Sequence, residues 1–557
     1  MAARPDRADA PRWTTRTPER LVLAVVHNVT SLTRLLDAVQ ILEADPRIQV
    51  VFTWTRSSPF THDVEEFLGD IGALTAPWDQ VVSMDFDLAL SASYGGDLHL
   101  LKAPLMVLSH GMGYNKKLAR FQIPDSRFQT PGAGPVFGLA PEWLIADGRV
   151  VPASIVLSHP EQLDRLVRDC PEAGPAAVVA GDPCLDRMLA ALPYRDRYRP
   201  AFGAEPRQTH VVVSSTWGPR SLLGEHPDLI ADLLAELPMD RFRVTAVLHP
   251  NIWHGHGPWQ VRAWLAHCLR AGLNLVPPRE GWRAALVAAD LVIGDHGSVT
   301  FYGAALGRPV LTAAFPHEDV DPASPVARLG RAAPALTPGR PLEPQVTRAV
   351  AEHDPARYAG IVGCATAVPG GSGRLLRTEM YRLMRLGEPA APPAVLRVPP
   401  LDRGDLEGGR ATAALTTVEW RDGVAVVTRV PAPTALHRGG AADGRHLAVD
   451  DTELEERLLG LADVVYGLHP GSEASTKEWL ARTFDRHPGC HVAAVEESPG
   501  ICVIGTNDGD MVRCRAERPE LAASLVYGWL ETGRRLAEIP AECTVEARPT
   551  SHSFRFG

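Results

Sequence analysis

A glycine-containing turn between an apolar strand pattern and a helix pattern has the clearest potential for chemistry. The chain reads ADLVIGDHGSVTFYGAALGRPV from Ala289 to Val310. Such a junction directs several backbone N–H groups to one point, and the helix N-terminus adds about half a positive charge. The pattern favours a diphosphate cradle, and an ordinary capped turn is the alternative. The candidate donor- or phosphate-binding residues of this segment are Asp295, His296, Gly297, Ser298, Val299 and Thr300.

A second turn of this kind follows another apolar run, in the segment VLSHGMGYNKK that ends at Lys117. His110 follows the predicted strand, at the carboxyl edge where open α/β sheets bind ligands. An imidazole with an ordinary pKa of about 6.5 can act as a general base toward an acceptor hydroxyl. Gly111 leaves room for a ligand there, and Lys116 or Lys117 could pair with phosphate. The alternative is a structural histidine in a glycine-rich turn.

Two further strand ends carry polar side chains. His249 follows an apolar strand in the segment VLHP, where it could donate a hydrogen bond to a phosphate or a leaving group. The alternative is a histidine in an ordinary loop. The segment SSTWGPR ends another strand and contributes the donor-side candidates Ser215, Thr216 and Arg220.

The elements that must position these residues are apolar strands without polar alternation, separated by helical patterns. This arrangement predicts parallel sheets that are covered on both faces. One series of strands begins at Leu21–His27, and a second begins at His210–Ser214 and is closed by a helix over residues 373–386. The predicted fold class is therefore α/β, with two facing Rossmann-like, doubly wound domains and a small α+β domain at the C-terminus.

The predicted domain boundaries follow from these patterns and from one Pro/Gly-rich stretch. The last unit is predicted to contain helices at 452–467 and 519–537 and strands at 424–430, 491–496, 500–505 and 542–548. The predicted units are a disordered N-terminus (1–20), an N-terminal Rossmann-like domain (21–205), a nucleotide-binding Rossmann-like domain (206–387), a linker (388–410) and an accessory domain (411–557).

Composition mainly excludes other classes of protein. The net charge of −10 gives no reason to expect nucleic-acid binding. Only 4 of the 56 basic residues are lysine, which makes the Lys116–Lys117 pair more noticeable. The eight cysteines show no zinc-ribbon spacing and are expected to be reduced thiols of a cytoplasmic protein, and neither a metal nor a cofactor is predicted. No run of 18 apolar residues occurs, so no membrane span is expected.

Familiar catalytic signatures are also missing from the sequence. There is no G-x-x-x-x-G-K-[ST] segment of a P-loop and no G-x-S-x-G nucleophile elbow. The first strand is followed by His27-Asn28-Val29 rather than by G-x-G-x-x-G, which argues against a dinucleotide dehydrogenase.

The order of the motifs resembles the CDP-glycerol glycerophosphotransferase family of GT-B-type transferases, which includes the teichoic-acid polymerases. The resemblance covers roughly residues 100–315. It implies a GT-B fold from about residue 20 to 385, with His110 as the acceptor-activating base, His249 as a phosphate contact and Ser298 as a contact of the donor diphosphate. The matching turns are His110-Gly111-Met112-Gly113-Tyr114-Asn115-Lys116, Gly181-Asp182-Pro183-Cys184-Leu185-Asp186, Leu248-His249-Pro250 and Asp295-His296-Gly297-Ser298-Val299.

Three turns depart from the pattern of the family. Met112 to Lys116 replace a Thr-Pro-Leu-Lys-like stretch, Cys184 replaces an arginine, and His296-Gly297 replace Tyr-Ser. The leading hypothesis is a transferase that moves a glycerophosphate-like or glycosyl group from a nucleotide-diphosphate donor to a hydroxyl acceptor. The alternatives are a non-catalytic nucleotide-binding scaffold and an epimerase-like enzyme. Residues 411–557 are a candidate surface for a protein partner, and peripheral contact with a membrane stays open.

Overall fold

The computed structural model describes residues 15–55, 63–117, 134–439, 444–468 and 473–557. The predicted disordered N-terminus therefore falls largely outside the described residues, since residues 1–14 are not among them.

The first α/β unit is built on a parallel sheet of six strands, as the apolar runs predict. The strands lie in the order Ile48–Trp54, Arg20–Val26, Leu88–Ser91, Leu105–Val107, Ser154–Leu157 and Ala177–Val179. A small antiparallel pair, Ile145–Ala146 with Arg149–Val150, lies outside this sheet. The helices of this part of the chain are Val29–Val39, Val64–Asp70, Trp78–Val81, Pro141–Leu144, Pro160–Asp169 and Pro183–Ala191.

The second α/β unit has a five-stranded parallel sheet. Its strands lie in the order Asn274–Leu275, Phe242–Leu248, Thr209–Ser215, Leu291–Gly294 and Val310–Thr312. Its helices are Leu222–Glu225, Leu229–Glu236, Pro250–His256, Pro258–Trp264, Ala266–Arg270, Trp282–Ala288, Ser298–Ala305, Pro325–Ala332, Leu342–Ala351 and Ala359–Val362. The predicted closing helix forms as Ser372–Met384 and packs back on the first unit, where Leu376 and Met380 are fully buried.

Each sheet has a point where the chain reverses the direction in which strands are added. In the first sheet this switch point lies between Arg20–Val26 and Leu88–Ser91, and in the second it lies between Thr209–Ser215 and Leu291–Gly294. Ligands of open α/β sheets bind outside the carboxyl ends of the strands at such points. The fold therefore marks two strand-end regions, and both carry polar residues.

A buried ionic network joins the two α/β units. Arg34 pairs with Asp182 at 2.9 Å, and the other carboxylate oxygen of Asp182 accepts a hydrogen bond of 2.6 Å from the Tyr302 hydroxyl of the second unit. Arg283, also from the second unit, pairs with Asp37 at 2.8 Å. Buried charges are tolerated only when they are paired and hydrogen-bonded, and each of these has its partner. The two units therefore contact each other through directional bonds.

The expectation of a small α+β domain is not confirmed for the C-terminal unit, because nine strands of its described residues close into a barrel of mixed pairing. The predicted helix over 452–467 is wrong: only Glu456–Gly460 is helical, and Val464–Leu468 is a buried strand paired on both sides. The helices are Ala432–His437, Glu456–Gly460, Glu473–Arg486 and Pro519–Leu530. The strands are Ala413–Arg421, Val424–Pro431, His446–Asp450, Val464–Leu468, Val492–Ser498, Ile501–Thr506, Met511–Arg515, Glu542–Ala547 and Thr550–Phe556.

Buried charge also fixes the barrel to the second α/β unit. Arg429, which is 3% exposed, pairs with Asp240 through two bonds, the longer of them 2.9 Å, and with Glu520 at 3.4 Å. The Met239 amide donates to the Arg429 carbonyl oxygen at 2.9 Å. The barrel is thus packed against the second unit and does not hang from a free linker.

Candidate functional site

The Asp295 carboxylate organises the strand ends at the switch point of the second sheet. It accepts hydrogen bonds from the amides of Thr216 (2.7 Å), Leu222 (3.0 Å) and Gly297 (2.9 Å). Asp295 is buried, and this burial raises the pKa of its carboxyl group. The sequence predicts Asp295 on the donor side, and in the structure its carboxylate ties two loops together, since three backbone amides donate to it.

The helix Ser298–Ala305 begins directly at this switch point, with Gly297 as its N-cap residue. A side chain at Gly297 would meet the Asp295 carboxylate at 3.0 Å, so the absence of a side chain lets the turn close tightly. The first amides of a helix have no partner within the helix and attract anions. A helix N-terminus therefore lies beside Thr216 at the position of the predicted cradle, and the binding of a diphosphate there stays a prediction.

The turn after the fourth strand of the first sheet touches this helix N-terminus. The Met112 amide donates a hydrogen bond of 3.1 Å to Ser298 Oγ. A Cβ placed on Gly111 would lie 2.5 Å from the same oxygen, so only glycine fits there without a shift. The sequence analysis places Gly111 next to the predicted base and Ser298 at the donor diphosphate, and the two residues are in direct contact.

Lys116 lies at the same junction. Its ammonium group donates to Thr216 Oγ1 at 3.0 Å and lies near the carboxylates of Asp295 and Asp319. Burial lowers the pKa of Lys116, and those two carboxylates oppose the change. The neighbouring Lys117 contributes its backbone amide, which donates to the Asp319 carbonyl oxygen at 2.9 Å. Of the two predicted lysines, Lys116 therefore brings its charge to the helix N-terminus.

His110 is partly buried beside the Phe137 ring, with the ring centroids 5.6 Å apart. Burial, followed by the nearby Lys116 ammonium, lowers the pKa of His110 to about 4, and a hydrogen bond with the Ala92 backbone acts in the opposite direction. A neutral ring that donates to a carbonyl keeps a lone pair on its other nitrogen. The His110 imidazole is thus in the form that a general base requires at neutral pH.

His249 caps the helix Pro250–His256, and its Nδ1 accepts a hydrogen bond of 3.1 Å from the Asn251 amide. Burial, followed by the charges of Lys116 and His110, holds the pKa of His249 well below its usual value. A neutral imidazole that accepts at Nδ1 carries its proton on Nε2. His249 is therefore a fixed Nε2–H donor, and its contact with a phosphate or a leaving group stays a prediction.

The other predicted donor-side residues differ in their surroundings. His296 is 7% exposed, and burial lowers the pKa of its ring to about 2. Thr300 is buried against Gly294 inside the unit, and Val299 packs on the core. Ser215 Oγ bonds the Thr216 carbonyl oxygen at 2.9 Å, and Arg220 pairs with Glu318 and Asp319. These residues shape the loops around the helix N-terminus.

Sequence reasoning missed several residues of the site. His27 and Ser91 lie at the switch point of the first sheet and are hydrogen-bonded to each other. Phe137 contacts the His110 ring. His27 follows the first apolar strand, which was a usable signal, because the position after a strand is where His110 and His249 stand as well. Phe137 carries no such signal, because its contact depends on a loop that packs back from a distance.

Metal ions and membrane spans can be considered only for the part of the chain that the structure describes. There, no group of three or more His, Cys, Asp or Glu side chains is arranged to hold a metal ion. In the same ranges, no helix combines the length and the apolar character needed to cross a bilayer.

No family model matches the chain, and no curated protein matches it. Among solved structures it is similar to the wall teichoic acid polymerase TagF, at 12% identity and a TM-score of 0.44, over 68% of this chain and 94% of that one. It is also similar to a glycosyltransferase of Rickettsia africae ESF-5 (10% identity, TM-score 0.37, 66% and 99% of the two chains). A third is Anabaena HepE, whose structure contains UDP-glucose (14% identity, TM-score 0.39, 66% and 99%).

TagF is a teichoic acid polymerase, and such polymerases are part of the family that the sequence motifs resemble. The identities and TM-scores are low. A function for this chain therefore has to rest on the geometry of the site.

Proposed function

We propose that the chain is a GT-B-type transferase that binds a nucleotide-diphosphate-linked donor at the Ser298 helix N-terminus and transfers a group to a hydroxyl acceptor beside His110. One observation carries the proposal. His110 and His249 follow strands of different sheets, yet the Lys116 ammonium, which donates to Thr216 beside the helix N-terminus at 3.0 Å, is near enough to both rings to add to the lowering of their pKa by burial. Four groups therefore lie close together: the His110 base, the His249 N–H donor, the Lys116 cation and the N-terminus of the Ser298 helix.

These groups divide the chemical work between them. His110 removes the proton from the acceptor hydroxyl while the oxygen forms its new bond to the donor. For a CDP-glycerol-like donor, that bond is to phosphorus, and the P–O bond to CMP breaks. For a nucleotide sugar, it is to the anomeric carbon, and the C–O bond to the nucleoside diphosphate breaks. In both cases the leaving phosphate keeps the electron pair, and His249 Nε2–H, Lys116 and the helix amides offset its charge.

A ligand screen followed by a transfer assay tests the proposal. Thermal stability is measured with CDP, UDP, GDP and their glycerol or sugar conjugates, since a bound ligand stabilises by RT ln(1 + [L]/Kd). Release of CMP or of a nucleoside diphosphate is then followed with hydroxyl acceptors. His110→Ala should lower turnover by about 10²–10⁴-fold, the usual contribution of a general base. A folded His110→Ala variant with wild-type turnover would exclude the base assignment.

A second candidate is a nucleotide-binding scaffold without catalysis. It is favoured by two direct contacts between the α/β units, that of Met112 with Ser298 and that of Lys116 with Thr216. An enzyme has to exchange these contacts for contacts with its substrates. Stabilisation by a nucleotide without any turnover, over the full set of conjugates and acceptors, would support the scaffold and reject the transferase.

A further inference from the structure

The first sheet carries a buried chain of hydrogen bonds at its switch point. Thr55 Oγ1 lies 3.1 Å from His27 Nδ1, and His27 Nε2 lies 3.0 Å from Ser91 Oγ. Ser91 Oγ in turn donates to the Ser93 carbonyl oxygen at 2.6 Å. His27 is 2% exposed and Ser91 is fully buried.

The direction of this chain follows from the number of protons available. The Ser91 hydroxyl has one proton, and the Ser93 carbonyl oxygen accepts it, so Ser91 Oγ has to accept from His27 Nε2–H. The His27 Nδ1 then carries the lone pair and accepts from the Thr55 hydroxyl. Burial lowers the pKa of His27 to about 3, which agrees with a neutral ring. Among the residues that the structure describes, His110 is the titratable group that acts on the pKa of His27, and the hydroxyl groups of Thr55 and Ser91 carry no charge.

Ser91 connects this chain to the strand end that carries His110. Its carbonyl oxygen accepts a 2.8 Å hydrogen bond from the Leu108 amide, two residues before His110. Its hydroxyl also accepts from the Ser93 amide at 3.2 Å, which closes the turn Ser91-Ala92-Ser93. Ala92, whose backbone lies close enough to the His110 ring to raise its pKa, is the middle residue of that turn. A change in the Ser91 rotamer would therefore displace the turn that places Ala92 beside the His110 ring. It would also disturb the bond to Leu108, two residues before His110.

We propose that His27 is a positioning residue, which holds the Ser91 hydroxyl and through it the Ala92 turn and the His110 ring in one orientation. It has no contact with substrate in this role. The kinetic consequence rests on the proposed function, because it requires His110 to act as the base. The orientation of the His110 ring does not depend on the proposed function, and it can be measured in the protein without any substrate.

The test compares His27→Leu with His27→Gln, which keeps an N–H donor for Ser91. The matched control is His446→Leu in the barrel, because His446 is also buried and its Nε2 lies 2.9 Å from a serine hydroxyl, that of Ser524. The ring tautomer of His110 is read from ¹⁵N NMR spectra of protein labelled at histidine, with the His110 signals assigned by their loss in His110→Ala. Circular dichroism and Tm show whether each variant is folded.

The wild type and His446→Leu should show one tautomer of His110, His27→Leu a mixture, and His27→Gln a return toward one tautomer. A single His110 tautomer in folded His27→Leu overturns the proposal, whether or not the protein has activity. If His27→Leu does not fold, Ser91→Ala removes only the central hydroxyl and takes its place with the same two outcomes.

If the transferase assay succeeds, His27→Leu should lower kcat at least tenfold while KM changes less than twofold, and His27→Gln should recover part of the loss. An unchanged kcat in folded His27→Leu would also overturn the positioning role. Absence of activity in the wild type would instead count against the proposed function, and it would leave the NMR result to decide on His27.

Discussion

The Met112 amide donates a hydrogen bond to the Ser298 hydroxyl, and this bond joins the turn after a strand of the first sheet to the helix N-terminus at the switch point of the second. It adds a contact at one defined oxygen atom to the buried ionic network between the two units. The lack of a side chain at Gly111 is what permits the approach, because a Cβ there would lie 2.5 Å from Ser298 Oγ but 3.5 Å from Ser298 Cβ.

Gly111→Ala should therefore destabilise the protein, and Ser298→Ala in the same chain should relieve most of the clash. The single Gly111→Ala change forces a shift that costs about 1–3 kcal/mol, as overpacking usually does. Thermal unfolding of the wild type, both single variants and the double variant measures the coupling between the two sites. Additive losses in the double variant would show that Ser298 Oγ is not the atom that Gly111→Ala meets.

His249→Asn should abolish most turnover while leaving the helix cap intact. Asparagine is a good N-cap residue and can still accept from the Asn251 amide, but it lacks the Nε2–H that we assign to the leaving phosphate. We expect a loss of about 10²–10³-fold in kcat, as for removal of one charge-stabilising donor. The matched control is His159→Asn, since His159 caps Pro160–Asp169 in the same way, with Nδ1 accepting from the Glu161 amide at 3.1 Å. Equal losses in both variants would mean that capping, rather than chemistry, explains the effect.

Lys116→Met should weaken donor binding much more than Lys117→Met. The Lys116 ammonium reaches Thr216 beside the helix N-terminus, whereas the bond of Lys117 across this junction is made by its backbone. We expect Kd for the nucleotide that responds in the screen to rise at least tenfold in Lys116→Met, measured by calorimetry. A similar Kd in the two variants would remove Lys116 from the phosphate site.

Stability should fall as the pH decreases from about 6.5, because several buried histidines resist protonation in the folded state. The pKa values of His27, His210 and His446 are lowered by burial to about 3 each. Between pH 6.5 and 3 the unfolded chain binds protons that the folded chain does not, so each group contributes a loss of about 1.4 kcal/mol per pH unit. His446→Gln has no such proton to bind, so its Tm deficit relative to the wild type should shrink between pH 7 and pH 5. A constant deficit would contradict the assignment.

Asp240→Ala should detach the barrel from the second α/β unit. It leaves the buried Arg429 guanidinium with Glu520 as its remaining carboxylate, and breaking a buried pair in this way costs about 3–5 kcal/mol. Limited proteolysis and Tm measure the effect, and Glu419→Ala is the control, since its pair with Arg421 is exposed and should matter little. A Tm change equal to that of the control would mean that other contacts hold the barrel.

The sequence predicted the two parallel sheets well, because buried strands of such sheets are continuous apolar runs. The strand Thr209–Ser215 extends by one residue at each end beyond the predicted run His210–Ser214. The barrel was harder to predict, since its pairing joins strands far apart in the chain, such as Val424–Pro431 with Glu542–Ala547. The local sequence pattern does not show which distant strands pair to close the barrel.

The candidate site, too, could be predicted from the sequence only in part. The residue types of His110 and His249 and their positions after strands were visible, and the structure brings both near Lys116. The role of Asp295 was not visible, because a carboxylate that accepts three backbone amides looks the same in sequence as one that faces a ligand. Pairings such as Arg220 with Asp319, which span 99 residues, depend entirely on the fold.

The buried ionic network between the α/β units has a consequence for how they can separate. Arg34, Asp182 and Tyr302 form bonds that are lost over small displacements, unlike apolar surfaces, which can slide. Separation of the two units would break Arg283 from Asp37 in the same movement. The bond of Tyr302 with Asp182 and the pair of Arg283 with Asp37 therefore define one register in which the two units fit together.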